Sequence, residues 1–321
     1  MTIEISAILI THNRANLLEQ VLIGLKKQTL DRSRYEIIIV DDGSIDETSK
    51  VLSEWKDKLA LRIFYQNQSG LAAAKNLGIF AASGEIIVFL DDDDVADENM
   101  LLYHLACHIR NPSEEVAVLG FTKLASHINE VPLMYYVTSV GHQLFSYSFM
   151  EADADLTYKD FWGGRSSCKR SFLLDNGIFN NKFTFGCEDI ELAWRLKSHG
   201  LRVIYEPLAI STMIREITFD QFCNRSYRQG RSQVLFSELH KDPEIQIYCE
   251  INDSLRAWSR WGGFYDAQLQ WTRNLDKLSN TRCLDQQSDN QESLMDTLFK
   301  QYENSFYLSK AKGIFDEKSK L

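Results

Sequence analysis

Through its first ~125 residues the chain alternates strand-like and helix-like stretches, the pattern of a mostly parallel sheet covered by helices. One of these strands, Ile86 to Leu90, is apolar without interruption and runs straight into Asp91-Asp92-Asp93-Asp94. An unbroken apolar strand implies cover on both faces, and ligands of open α/β sheets gather beyond the carboxyl ends of the strands. The fold is therefore expected to deliver four carboxylates to the place where such sheets bind things.

The neighbouring stretches fit the same reading. Ile3 to Ile10 is a β-rich run ending at Thr11-His12-Asn13-Arg14. A helix follows with Leu17, Leu18, Val21, Leu22 and Leu25 on one face at the helical period. Tyr35 to Val40 predicts a strand that ends at Asp41-Asp42, followed by a helix over 46–59 and a strand near Leu61 to Tyr65. Gly70 to Ala82 reads as a third helix, closed by Gly84, and a fourth carries Met100, Leu101, Leu105 and Ile109.

From 126 to 187 the periodicity weakens, and glycine and aromatic residues gather, as in Trp162-Gly163-Gly164-Arg165. A helix returns over Glu188 to His199, then a strand at Leu201 to Tyr205 and a turn at Glu206-Pro207. Beyond Thr218 the sequence is polar and helical in character, and the polar stretch Asp285 to Glu292 predicts a mobile loop. There is no internal repeat. The expected division is an α/β region over 1–240 and a helical C-terminal extension over 241–321.

With 321 residues, 44% apolar and 25% charged, the chain can bury a large core, which excludes global disorder. The 35 lysines and arginines against 45 aspartates and glutamates argue against a general phosphate-backbone binder and leave room only for local basic patches. No apolar run approaches the ~20 residues of a membrane span, and the start lacks the features of a signal peptide. Cys107, Cys168, Cys187, Cys223, Cys249 and Cys283 are scattered without metal-ligand spacing, so all six are expected to be reduced and structural. A cytoplasmic setting follows as the expectation.

Four adjacent carboxylates repel one another and call for compensation. A hard divalent cation with oxygen ligands, magnesium or manganese, provides it and also recruits phosphate oxygens. The plainer alternative is a solvated acidic turn capping the next helix with help from Asp97. An EF-hand loop fits poorly, with Ala96 at its sixth position and Leu102 at its twelfth. No GxGxxG follows the first strand, which argues against a dinucleotide site.

Five segments in order resemble the inverting glycosyltransferases of family 2. They are Ile8 to Arg14, Val40 to Asp46, Ser69 to Asn76, Phe89 to Asp94 and Glu188 to Arg195, and the likeness covers residues 3–231. The resemblance implies a GT-A fold, an α/β architecture with a mixed, mostly parallel sheet flanked by helices. Its nucleotide-binding half would span 1–125 and its acceptor half 126–240. It also implies a nucleoside-diphosphate sugar donor, most often UDP-linked, a glycan or glycoconjugate acceptor, and a divalent metal cofactor (Mn2+ or Mg2+). A lipid-linked acceptor would add peripheral association with the inner membrane face.

On that resemblance Thr11, Arg14, Asp92 and Lys75 border the nucleotide, and Asp42 accepts a hydrogen bond from the base. Asp91 and Asp93 match the DXD pair, with Asp93 in direct metal contact. Asp189 is the expected general base, taking the proton of the acceptor hydroxyl, and Glu188 binds the acceptor or orients the loop. Trp162, Gly163, Gly164 and Arg165 would line the sugar pocket. Structural alternatives stand beside each role: an Asp-Gly-Ser turn for Asp42, an exposed helix lysine for Lys75, and core packing for Trp162. For Asp189 the alternative is helix N-terminal charge beside a Glu191–Arg195 surface pair.

One departure is visible. Family members often carry a histidine after the strand and Glu-Pro turn, where this chain has Met213, a soft and weak candidate for a metal ligand. Arg215, Arg225, Arg228 and Arg231 follow and could hold a diphosphate or be ordinary helix-surface charge. Two rivals to an active transferase remain: a catalytically weak or regulatory nucleotide-sugar-binding protein of the same fold, and a phospho-acceptor domain built on Asp41-Asp42.

Overall fold

The computed structural model describes residues 3–282 and 289–320. They form two compact units, one of residues up to Ala125 with Phe149–Thr184 and Glu188–Arg215, the other of Ser126–Ser148, Phe185–Cys187 and the chain from Glu216 onward. Residues 216–240, grouped by sequence with the α/β region, belong to the second unit.

The first unit is built on a nine-stranded sheet. In chain order its elements are β1 (Ile5–Thr11), α1 (Ala15–Lys26), β2 (Tyr35–Asp41), α2 (Thr48–Trp55), β3 (Arg62–Tyr65), α3 (Leu71–Ala81) and β4 (Ile86–Leu90). They continue with β5 (Asp94–Ala96), α4 (Met100–Arg110) and β6 (Val116–Leu124). The strand order is β3-β2-β1-β4 followed by β8 (Ser166–Lys169), β6, β9 (Arg202–Met213) and β5, with β7 (Asp155–Leu156) paired to β9. The first four strands run parallel, β8 is antiparallel to both β4 and β6, and β9 is parallel to β6.

Register sets the geometry of the site. Thr11 lies opposite Asp41 and Leu9 opposite Leu90, so the acidic ends of β2 and β4 flank the end of β1. The sheet is held there by Leu18, Val21, Leu22 and Leu25 of α1 packing on Ile5, Ala7, Leu9, Ile37 and Ile39, all buried. Each of these buried leucine, valine and isoleucine side chains contributes about 1.5–3 kcal/mol of transfer free energy.

Three expectations change. Ile109, grouped by sequence with Met100, Leu101 and Leu105 on the fourth helix, is 64% exposed, whereas His104 and His108 are buried. Their ring nitrogens meet the hydroxyl of Ser167 on β8 at 2.9 Å each. The Glu206-Pro207 turn is a bulge inside the long strand β9: its ladder to β6 jumps from Glu206 to Ile210, because proline has no N–H to donate. The third change is the added strands, β6 and β8, which complete the sheet beyond β4.

The second unit is helical, with α5 (Ser126–Asn129), α6 (Pro132–Tyr135), a π-helical turn at Tyr136–Val140, α9 (Phe219–Leu239), α10 (Pro243–Cys249), α11 (Ile251–Trp261), α12 (Tyr265–Arg282) and α13 (Asp289–Lys318). The first unit holds the two remaining helices, α7 (Arg170–Asn176) and α8 (Glu188–Lys197). Aromatic rings join α9 to α13: Phe222 and Phe306 have centroids 4.5 Å apart, and Phe306 stacks on Tyr302 at 5.8 Å. Thr218 caps α9 through its side chain, with Gln221 returning the bond as a capping box.

Cys107, Cys168, Cys187, Cys223 and Cys249 are free and buried. Cys283 lies outside the described residues, as does part of the Asp285–Glu292 stretch. Among the described residues no helix is long and apolar enough to cross a membrane.

Candidate active site

At the end of β2, Asp42 is 5% exposed and is satisfied by the loop that leads into α3. Its Oδ1 accepts from the Ser69 N–H at 2.8 Å and from Gln66 Nε2 at 2.7 Å, and its Oδ2 accepts from the Gly70 N–H at 2.9 Å. Gly70 has φ +93° and a Cβ there would lie 2.9 Å from the Thr184 backbone, so the loop needs glycine. Asp41 behaves alike, accepting from the Ser44 N–H at 2.8 Å. His12 turns its Nδ1 to the Asp42 carbonyl oxygen at 2.9 Å.

The four aspartates after β4 are compensated differently. Arg165, just before β8, reaches Asp91 at 3.2 Å and Asp94 at 3.1 Å, while its Nε donates to the Thr122 hydroxyl at 2.7 Å. Arg215 lies 3.4 Å from Asp93, and Arg14 lies 3.5 Å from Asp92. Burial, reinforced by the charge of Asp93, pushes the Asp92 carboxyl up to about 7 against the pull of Arg14 and of the buried Thr11. Asp93 is likewise raised by burial and by Asp91 against Arg215 and Arg165. Asp94 is pushed up to about 7 by burial despite Arg165, and its Oδ1 has no hydrogen-bond partner.

This donor set suits a hard divalent cation. It offers carboxylate oxygens that are crowded, desolvated and reluctant to ionise without added positive charge. Of Asp91 and Asp93, Asp91 is the more accessible, with its side chain 34% exposed. Met213 is buried and stands opposite Asp94 in the β5–β9 pairing. Directly opposed residues share a face of the sheet, so Met213 keeps company with Asp94 rather than with Asp93.

Asp189 opens α8, and its two oxygens are fixed by backbone donors, Oδ2 by the Gly163 N–H at 3.1 Å and Oδ1 by the Ile190 N–H at 2.8 Å. A place at a helix N-terminus by itself favours the ionised carboxylate. Instead burial and the adjacent Glu188 raise it, outweighing Lys75 and the two N–H donors. Lys75 is not an exposed helix lysine: it is buried, 3.2 Å from Glu188 and 4.9 Å from the centroid of Phe179. Glu188 is buried too, which sets it beneath the surface as the partner of Lys75 rather than open to an acceptor.

The Trp162-Gly163-Gly164-Arg165 segment binds these parts together. A Cβ at Gly164 would fall 2.1 Å from the Asp91 carboxylate, and one at Gly163 2.4 Å from Lys75 Nζ. Trp162 is partly buried, with its indole N–H donating to the Lys159 carbonyl at 3.0 Å. Arg165 departs from the sugar-lining role, since its guanidinium is taken up by Asp91, Asp94 and Thr122. Glu191 and Arg195 do pair, at 3.0 Å, but Glu191 is buried and the pair is no surface ornament.

In the second unit Arg231 is bound to Glu317 at 2.6 Å, and Arg225 and Arg228 lie over the ring of Phe185. A separate trio, Cys107, Asp153 and Glu206, brings three ligand atoms within 4.8 Å of one another. Arg110 already neutralises it, 2.6 Å from Glu206 and 3.3 Å from Asp153. Sequence reasoning missed Thr122, Ser211 and the anchoring of Asp94, whose signal was simply a fourth aspartate in a run.

Carboxylates at the ends of β2 and β4 and a further one at the start of α8 all belong to the first unit. Residues 6–172 match the profile of glycosyl transferase family 2, more than half of the chain, and the chain belongs to that family. Residues 144–216 also match the profile described as the N-terminal domain of galactosyltransferase. Validoxylamine A glucosyltransferase of Streptomyces hygroscopicus subsp. jinggangensis is 31% identical over 220 residues, covering 61% of this chain and 52% of the relative. Poly-beta-1,6-N-acetyl-D-glucosamine synthase of Staphylococcus aureus is 26% identical over 240 residues, covering 73% and 56%. The matches thus span about half the length of these relatives.

Among solved structures, the mannosyltransferase PcManGT of Pyrobaculum calidifontis in complex with GDP-Man and Mn2+ aligns with a TM-score of 0.59 at 19% identity, covering 100% of this chain and 87% of that one. TarS 1-349 of S. aureus in complex with UDP-GlcNAc aligns with a TM-score of 0.56 at 17% identity, covering 98% and 92%. The architecture is the α/β GT-A type with a helical C-terminal segment.

Proposed function

We propose that this chain transfers a sugar from a nucleoside-diphosphate sugar, UDP-linked by preference, to a hydroxyl of a glycan or glycoconjugate acceptor, with inversion at the anomeric carbon. The observation that carries the reading is Asp189. A single displacement needs a carboxylate that takes the acceptor's proton while its oxygen attacks. Asp189 is held by two backbone N–H groups, one on each oxygen, which fixes its direction and leaves lone pairs on both. Its raised pKa makes it a stronger base than an exposed aspartate.

Lys75 and Glu188 form a buried pair under this carboxylate and hold the start of α8. Lys75 also pulls the Asp189 carboxyl back down against the rise caused by burial and Glu188. Asp42 presents Oδ2 with one loop donor against two on Oδ1, so Oδ2 is the oxygen suited to a nucleobase N–H. Thr11 and Arg14 border the same edge. Asp91 and Asp93 would hold a divalent ion, manganese or magnesium, which when bound supplies positive charge to the departing diphosphate. Arg165 and Arg215 fix these carboxylates and would yield part of their contact to such an ion.

Asp189→Asn keeps the shape and removes the base. Turnover is expected to fall by about 10²–10⁴-fold, with UDP-sugar affinity unchanged by calorimetry; near-normal turnover would remove Asp189 from the role. The buried Met213 in place of the expected histidine favours one other reading, a nucleotide-sugar-binding protein that does not transfer. Tight donor binding with neither transfer nor hydrolysis across an acceptor panel would establish that reading instead.

A further inference from the structure

In the helical unit, α12 buries polar side chains and exposes large apolar ones. Towards α13, Gln268 Nε2 donates to Gln301 Oε1 at 2.8 Å, the hydroxyls of Thr272 and Ser305 meet at 2.8 Å, and the Tyr302 hydroxyl donates to Asp276. Thr272 and Ser279 are buried. On the outer side Phe264, immediately before α12, is 64% exposed, Trp271 is 56% and Leu278 is 40%. The helix of a lone protein turns such residues inward, and an exposed apolar face marks a surface for association.

These three residues stand seven apart, about two helical turns, so they fall on one line along the helix. Between Phe264 and Leu278 the positions within about 60° of Trp271 are Ala267, Gln268, Asn274 and Leu275, none of them charged. The charged residues of that span, Asp266, Arg273, Asp276 and Lys277, stand roughly 120–160° round the helix from it. At the Phe264 end the Trp261 ring extends the stripe, its centroid 6.3 Å from that of Phe264, with the Arg260 guanidinium 5.1 Å over it.

Spacing and charge decide what covers the stripe. An apolar residue at every seventh position is the repeat of a helix–helix seam. A seam with uncharged flanks suits a copy of the same chain, since two bodies of net charge −10 repel wherever their charges meet. An anionic lipid surface would require cations along the stripe, whereas Arg260 stands at its end and Arg273 and Lys277 on the far side. The stripe has equal arms of seven residues about Trp271, so a two-fold axis there returns it onto itself. Antiparallel pairing also sets the bulky Phe264 against the smaller Leu278 and opposes the two helix dipoles. We propose that α12 is the seam of a homodimer, meeting α12 of a second copy antiparallel about a two-fold axis at Trp271. Three rings, each exposing about half of the 150–250 Å² that it can bury, make a seam at the small end of specific interfaces, so the dimer is expected to be reversible.

The test is sedimentation equilibrium of the full chain over a concentration series, with circular dichroism and thermal melting to check folding. The parent chain is expected to pass from monomer to dimer in the micromolar range, and added salt to tighten the dimer by screening the net charge. Trp271→Glu places two like charges at the axis and is expected to weaken dimerisation by at least about tenfold, with the UDP and manganese titration unchanged. Register is read by cysteines in a Cys283→Ser background. Trp271→Cys should form a disulfide-linked dimer by itself, whereas Phe264→Cys and Leu278→Cys should cross-link to each other when mixed and far less to themselves. If Trp271→Glu fails to fold, the cysteine variants are read in its place. A parent chain that stays monomeric, a dimer indifferent to Trp271→Glu, or self-linking of Phe264→Cys as efficient as the mixed pair would overturn the assignment. A monomer that binds phosphatidylglycerol vesicles through Trp271 would give the stripe to a lipid surface instead. Loss of UDP binding in the parent chain would strike the transferase reading and leave this one standing.

Discussion

The two acidic strand ends look alike in sequence and are built on opposite principles. Asp41 and Asp42 at the end of β2 are answered mainly by backbone N–H groups of Ser44, Ser69 and Gly70, with the Gln66 amide as the one side-chain donor. Asp91 to Asp94 after β4 are answered by long side chains, Arg14, Arg165 and Arg215, drawn from elsewhere in the unit. Backbone donors cannot leave without unfolding the loop, whereas a guanidinium can swing aside. The first end is a fixture that shapes the edge; the second is a charge reservoir held by side chains that a cation of the kind proposed would displace.

That contrast predicts opposite responses to neutralisation. Asp42→Ala strands the Ser69 and Gly70 N–H groups in a buried loop and is expected to cost about 3 kcal/mol of stability in denaturant unfolding. Asp93→Asn relieves repulsion from Asp91 while giving up one 3.4 Å contact to Arg215, so its stability should stay within about 1 kcal/mol of the parent. Metal-dependent nucleotide binding should nevertheless be lost in Asp93→Asn, read by calorimetry with manganese and UDP. A severe melt of Asp93→Asn, or unchanged titrations, would erase the distinction between fixture and reservoir.

Protons sharpen the same comparison with a smaller effect. Asp92 and Asp94 titrate near 7 in the folded chain, because burial opposes their ionisation, against about 3.9 when unfolded. Between those values the folded state holds protons that the unfolded state has lost, so stability should fall as pH rises from about 4 to 7 and level off above. Manganese should flatten the decline by stabilising the ionised carboxylates. Thermal melts across that window, with chelator and with manganese, would show it; parallel curves in both conditions would count against a cation at β4.

The parallel half of the sheet was legible because its strands are apolar runs between helices of clear period, and Ile86–Leu90 matches its predicted limits. β8 was not legible. Its sequence Ser-Ser-Cys-Lys carries no apolar pattern, and its burial depends on His104 and His108, distant in sequence, bonding Ser167. Candidate residues at strand ends could be found because strand ends were found. The partners of Lys75 and Arg165 could not, since a buried lysine and a surface one look identical until Glu188 and Asp94 are placed beside them.

The smallest expected effect concerns Met213. Cross-strand pairing sets it opposite Asp94, and alternation along a strand sends neighbours to opposite faces. A histidine introduced there would therefore meet Asp94, whose Oδ1 lacks a donor, before it met an ion held by Asp93. Met213→His should gain a hydrogen bond to Asp94 and tighten manganese binding by less than about tenfold, despite imidazole being the better ligand. Tightening far beyond that would mean that position 213 faces the ion, and would extend the exchangeable charge of the β4 end onto β9.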